Sequence, residues 1–223
     1  MEKTGFIPQF ASATLSVDDD DPELLKVVAI PDALSKAVAH MGLHELDLHK
    51  AAKYLDELDK RGYMNGDTVA EALWYSALVA LFKCFGNSNA RIRLDPTVIY
   101  TDDHQLQQFK YWKSMRNKYL VHDDNDGMQS HVFALLRRPD YRPSIAKVEV
   151  LTLDGVTIYK DNAAVVRELV NTAREWVQAE SIRLSSLMSA ALNNMTFEEL
   201  DALPPVRISH TNHETVHRTR TSS

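Results

Sequence analysis

The stretch Asp67–Phe85 reads DTVAEALWYSALVALFKCF. Val69, Ala72, Leu73, Ser76, Ala77, Ala80 and Leu81 recur at helical spacing. Ala70, Trp74, Tyr75, Leu78, Val79, Phe82 and Phe85 fill most of the positions between them. A helix that is apolar nearly all round belongs at the centre of a bundle or at an interface. Asp67 or Thr68 can cap its start, and Gly86-Asn87 closes it. The segment predicts a helical bundle built around itself.

The flanking sequence supplies the other helices. Leu24, Leu25 and Val28, then Leu34, Val38 and Met41 after a break at Pro31, form one apolar stripe. Leu46, Ala51, Tyr54, Leu55 and Leu58 form a second, ending near Arg61-Gly62, with a break expected between the two at Gly42. Residues 86–103 read as a connector with a small structured patch, Ile92 to Ile99, around Pro96. From Gln105 to about His122, Leu106, Phe109, Trp112 or Lys113, Met115 and Tyr119 define a fourth helical pattern, ended by the turn-forming run Asp123–Gly127. The period then changes to alternation. His131–Leu136, Ala146–Leu151 and Val156–Tyr159 read as strands, with Asp154-Gly155 a hairpin turn between the last two. A long helix is expected from an N-cap at Asp161 to about Asn193, and one more turn over Phe197–Leu200. The fold class is therefore mainly α, a helical bundle with a small antiparallel β insertion ahead of its last long helix. Residues 1–21, ending in four aspartates, read as a flexible leader. Residues 22–203 form one helical domain with the insertion at about 131–159, and the polar residues 204–223 read as a disordered tail.

Composition narrows the class further. With 223 residues, 44% apolar and 25% charged, the chain is neither collagen-like nor wholly disordered. Seven glycines and eight prolines are too few for a turn-rich all-β fold. A net charge of −6 argues against non-specific coating of nucleic acid but leaves room for a local basic site. Cys84 is the only cysteine, so neither an intrachain disulfide nor a cysteine-rich metal site is open to this chain. The longest apolar stretch, Ala72 to Phe82, falls well below the ~18 residues of a membrane span. A cytoplasmic protein without a membrane segment is expected.

The chemistry concentrates in Gln105–Asn125, QLQQFKYWKSMRNKYLVHDDN. Lys110, Lys113, Arg116 and Lys118 lie between Gln105 and His122 with no acidic residue among them. Phe109, Tyr111, Trp112 and Tyr119 are interleaved. Basic and aromatic residues together suit a backbone phosphate with a base stacked beside it, which makes Lys110, Lys113, Lys118 and Tyr119 candidate RNA contacts. The same composition also describes an amphipathic helix with a solvated basic face.

Within it, Met115-Arg116-Asn117-Lys118-Tyr119-Leu120-Val121-His122-Asp123 resembles the signature of the HEPN superfamily. That signature is an Arg followed by a polar residue, with a His four to six residues beyond. The wider pattern, Leu73–Val79 on one helix and Arg-Asn-Lys before His-Asp on another, is similar to the abortive-infection branch of that superfamily. The resemblance covers about Asp67–Asn125. It implies a metal-independent endoribonuclease of a toxin or antiphage defence system. A homodimer, an RNA substrate, an antitoxin or defence partner and no cofactor or metal go with that reading. The implied catalytic residues are Arg116, His122 and Asn117. His122 titrates nearest neutrality and suits a general acid or base. Arg116 can grip two phosphoryl oxygens through its planar fork, and Asn117 can orient the substrate or His122. One histidine per chain is too few for two proton transfers, so a two-fold axis near this helix is expected, with Phe109, Trp112 and Tyr119 as its apolar contacts.

Geometry leaves a second reading open. Six residues apart on an unbroken helix, Arg116 and His122 lie about 120° apart around the axis. Arg116 can instead bridge to Asp123 or Asp124, and His122 can be a C-terminal residue favoured by the macrodipole. The rival function is a non-catalytic helical module binding RNA, a nucleotide or a protein partner. Elsewhere, His40, His44 and Asp47 or His49 have helix-like spacing, but the expected break at Gly42 argues against a metal site. His210, His213 and His217 occupy the tail. Arg137, Arg138 and Arg142 are better read as guarding a sheet edge than as gripping RNA. No phosphate-cradling glycine loop, nucleophile elbow or dinucleotide fingerprint is present.

Overall fold

A computed structural model describes residues 28–63, 66–88, 91–121, 129–140, 142–143, 145–153 and 159–205. Its elements in chain order are α1 (Ala33–Arg61), α2 (Thr68–Lys83), α3 (Pro96–Ile99) and α4 (Asp103–Met115). A π-helical segment (Arg116–Val121) continues α4, and β1 (Gln129–Leu136), β2 (Ile145–Leu153), α5 (Lys160–Leu192) and α6 (Phe197–Asp201) follow. The described residues are mainly helical with a two-stranded antiparallel sheet, in keeping with the expected mainly α fold class and small antiparallel insertion.

Local chemistry sets most boundaries. The Asp32 side chain accepts from the Ser35 N–H, Asp67 from those of Val69 and Ala70, and Asp102 from that of Gln105. Each carboxylate satisfies amide donors that the first helical turn leaves without partners. Gly62, at φ 87, ends α1 in the left-handed region that a glycine enters without strain. Thr196 and Glu199 form a reciprocal capping box on α6.

Two expectations need correction here. The stripes on either side of Gly42 belong to one helix, since α1 runs unbroken through it. A glycine inside a helix costs roughly 1 kcal/mol against alanine, and the packing of α1 on both α2 and α5 outweighs that. The start of α5 is also earlier than expected. Its N-cap is Tyr159, which makes no side-chain cap bond, and Asp161 lies in the first turn. Among the described residues no third strand joins β1 and β2. Asp154-Gly155 and most of the strand expected at 156–159 fall outside them, as do residues 1–21 and nearly all of the tail. The described end of the tail is anchored, because the Ala29 N–H donates to the Pro204 carbonyl at 2.7 Å.

With 29 and 33 residues, α1 and α5 span about 43 and 50 Å at 1.5 Å per residue. They pack along each other, α2 packs against α1, and α4 meets α5. Leu48, Ala51, Leu55 and Leu58 of α1 face Val166, Leu169, Ala173 and Val177 of α5 in one buried cluster. The burial predicted for α2 holds, with Trp74, Leu78 and Phe82 buried while Val69 and Val79 reach solvent, but the helix that packs on both α2 and α5 is α1. The connector after α2 is tied down by Tyr100, whose hydroxyl donates to the Leu169 carbonyl at 3.1 Å. Burial pushes that phenol well above its ordinary pKa. No helix among the described residues is long and apolar enough to cross a membrane.

Candidate functional site

Four residues apart on α4, the side chains of Trp112 and Arg116 are neighbours on one helix face. Phe109 and Trp112 point inward and are 1% and 4% exposed. Phe109 packs against Phe85 at 4.6 Å and Tyr100 at 5.1 Å between ring centroids. Trp112 meets Trp74 edge-on at 5.3 Å. These rings are spent on the core. They are therefore neither stacking platforms for a base nor the apolar contacts of a two-fold axis along α4, contrary to expectation. Burying about 150–250 Å² per aromatic side chain is worth more to the fold than exposing it at a site. Tyr111 is the exposed ring of this helix. Lys110 is exposed, and the Lys113 ammonium lies 5.9 Å from the Phe109 ring centre. Neither lysine makes an ion pair with an acidic residue among the described residues.

Regular α-helix stops at Met115, not at His122 as the sequence suggests. Arg116–Val121 is wound as a π-helix, a form that occurs mostly as single wide turns and is frequent at functional sites. Arg116 and Asn117 open this wide turn together. The Arg116 guanidinium donates to the Asn117 side-chain oxygen at 2.9 Å. Its Nε is buried and has no hydrogen-bond partner, and no carboxylate pairs with the guanidinium among the described residues. Asp123 and Asp124, the alternative partners, lie outside those residues, and so does His122. Lys118 is exposed on the π-segment. Of Tyr119 only the backbone, within that segment, is described. The structure thus brings Arg116 and Asn117 together at the end of α4, with Lys110 and Lys118 exposed along the same stretch of chain. The indole N–H groups of Trp74 and Trp112 are also buried without an acceptor. Their edge-on contact suits an N–H directed at a ring face.

A second polar cluster escaped the sequence reading because its organiser, Arg91, stands in an unremarkable connector. Arg91 forms an ion pair with Asp47 at 2.6 Å, both side chains being buried, and donates to the Leu43 carbonyl at 3.2 Å. Lys83 approaches the other Asp47 oxygen at 3.2 Å. His44, fully buried, donates from Nε2 to the Ile92 carbonyl at 2.8 Å, which leaves Nδ1 as the acceptor facing Arg91. The Ile92 N–H donates to His40 Nδ1 at 3.2 Å. Burial foremost, aided by the Arg91 charge, lowers the His44 pKa and keeps the ring neutral. His40, His44 and Asp47 do share a helix face, but their polar atoms are directed at the connector. His49 is exposed on another face. Among the described residues no group of three metal-ligating side chains occurs.

A cleft of about 500 Å³ between α1, α4 and α5 is lined mostly by polar side chains, several of them bound to one another. Arg167 holds Asp56 and Asp59 there, and Gln105 donates to Glu168. Arg137 and Arg138 are exposed just beyond β1, and Arg142 precedes β2, at the tip of the ribbon.

Comparison of the chain with family models, with curated proteins and with solved structures returns no match.

Proposed function

We propose that this chain is a metal-independent endoribonuclease of HEPN type acting in a toxin or antiphage defence setting. The observation that carries the reading is the state of Arg116. Its guanidinium is held by Asn117 at the start of a π-turn, Nε lacks a partner, and no carboxylate among the described residues neutralises it. An arginine buried only for structure is normally paired. Here the charge is left for an anion, and a phosphodiester fits the planar fork.

In this reading the 2′-hydroxyl of RNA attacks the adjacent phosphorus as a base removes its proton. The P–O5′ bond breaks as an acid protonates the departing 5′-oxygen, leaving a 2′,3′-cyclic phosphate and a 5′-hydroxyl. Arg116 stabilises the charge that builds on the phosphoryl oxygens. His122 is the group proposed for proton transfer, and two copies of the chain supply the two histidines needed. Lys110, Lys113 and Lys118 draw in the substrate, with Tyr119 proposed beside them. The defence role and an antitoxin or defence partner rest on the resemblance alone.

The second reading, a non-catalytic module that binds RNA, a nucleotide or a protein, is favoured by the burial of Phe109 and Trp112, which leaves little aromatic surface to position a reacting base. Purified protein, its His122→Ala variant and its Arg116→Ala variant, each incubated with mixed RNA and EDTA, separate the two. Metal-independent cleavage that vanishes in both variants supports the enzyme. Binding without cleavage, or cleavage that survives in the variants, supports the module.

A further inference from the structure

The β1–β2 ribbon turns apolar side chains into solvent on both faces. Val132, Val148 and Val150 are 71%, 59% and 62% exposed, and Leu136 and Ile145 are exposed beside them. Val132 pairs with Val150 and Ala134 with Val148 on one face, while Phe133 pairs with Glu149 and Leu135 with Lys147 on the other. Two strands alone are marginally stable in water, and a third strand or a covering layer is the usual remedy. Both outer edges of the ribbon are unpaired among the described residues, so each presents a row of backbone donors and acceptors.

The β2 edge carries a self-complementary charge pattern, Ala146-Lys147-Val148-Glu149-Val150. In an antiparallel pairing of two β2 strands about a two-fold axis at Val148, each Lys147 stands directly opposite the Glu149 of the second copy. Ala146, which the bulge leaves without a partner on β1, falls opposite Val150. A register centred on Glu149 would set two carboxylates face to face, and one centred on Lys147 two ammonium groups. Opposite charges directly across strands stabilise a sheet and like charges destabilise it, so the pattern selects one register. In the single chain Lys147 and Glu149 are both partly exposed and pair with each other along the strand. They exchange that contact for two across the axis. β1 has no Asp, Glu, Lys or Arg to select a register in the same way.

We propose that the β2 edge is a self-pairing surface through which a second copy of this chain extends the ribbon to a four-stranded antiparallel sheet. Isologous contacts of this kind place the same patch on both partners, and the valines of one face become contiguous across the axis. The surface involves neither Arg116 nor His122. It stands whether or not the chain cleaves RNA, and it puts the contact between copies on the ribbon and not on Phe109 and Trp112 of α4, which are committed to the core.

The test is sedimentation of the full chain over a concentration series. The parent is expected to dimerise, and Lys147→Glu or Glu149→Lys alone to raise the dissociation constant roughly tenfold or more. An equimolar mixture of the two variants should recover near-parental affinity, because every charge then meets its opposite across the axis. The variant carrying both changes in one chain should recover it as well. A parent that stays monomeric at high micromolar concentration overturns the proposal. So does a dimer whose affinity neither reversal changes, or a mixture that fails to recover.

Discussion

Arg91 and Arg116 are both substantially shielded from solvent, yet they are in opposite electrostatic situations. Arg91 is fully engaged, with Asp47, the Leu43 carbonyl and His44 arrayed around it. It fastens the connector to α1 and, through Asp47, gathers in Lys83. Among the described residues Arg116 has the neutral oxygen of Asn117 as its side-chain partner, and its buried Nε lacks an acceptor. Burying a charge is costly unless it is paired. The first arginine meets that requirement inside the fold, and among the described residues no carboxylate does the same for the second. The same residue type is thus locked into the fold at Arg91 and, under the proposed function, would serve a phosphodiester at Arg116.

The comparison breaks first, and with the largest effect, on RNA cleavage. His122→Ala is expected to lower the cleavage rate by about 10²–10⁴, the usual effect of removing a general acid or base. Arg116→Lys should be severely impaired as well, since an ammonium keeps the charge and loses the fork. Both variants should melt within about 3 °C of the parent, a shift worth roughly 1 kcal/mol in a domain of this size. A variant that loses activity by unfolding, seen as a collapsed circular-dichroism transition, would make Arg116 structural after all.

Asp47→Ala should have the reverse profile. It leaves Arg91 buried without its carboxylate, which typically costs about 3–5 kcal/mol, read as a lowered urea midpoint at unchanged slope. If Asp47→Ala is as stable as the parent, the cluster is not what holds the connector. A cleavage rate per folded molecule that falls with it would tie the two polar sites together.

The pH dependence of stability sharpens the same point. Burial lowers the folded-state pKa of His44 below its ordinary 6.5. Above 6.5 the ring is neutral folded and unfolded, and its contribution is fully present. As pH falls below 6.5 the unfolded state takes up a proton that the folded state resists, so stability is lost progressively until the folded pKa is passed. Thermal melts between pH 8 and 5 should show this decline, and His44→Gln should flatten it. An equal decline in that variant would assign the slope to other groups. The smallest effect expected is that of Tyr100→Phe. It removes one buried hydrogen bond to the Leu169 carbonyl and should cost about 1 kcal/mol by denaturant titration.

The helices were legible because their signals are local. The apolar stripe of α2, its Asp67 cap and the Gly62 stop each sit within a few residues of the feature they specify. The alternation that marks the ribbon is local too, and β1 and β2 each contain the span expected for them and run a residue or two beyond it. Arg116 and Asn117 are candidates drawn from a nine-residue run, and the structure adds what no short motif carries, the partnerless Nε and the wide turn that begins there. The pairing of Arg91 with the His44–Asp47 face was invisible for the opposite reason. The His44–Ile92 contact joins residues 48 positions apart, and nothing near either residue announces the other.

The sequence by itself determined where helix and strand form, where most helices start and stop, and that one basic stretch carries the candidate chemistry. These follow from period, capping chemistry and charge, which act between neighbours along the chain. Only the tertiary structure decided that α1 passes straight through Gly42, that Phe109 and Trp112 belong to the core and not to a binding face, and that Asp47 neutralises Arg91. Those outcomes depend on which surfaces meet across the bundle. Packing against two partner helices outweighs a helix break of about 1 kcal/mol, and a carboxylate brought alongside from another helix determines whether a buried charge is silent or available.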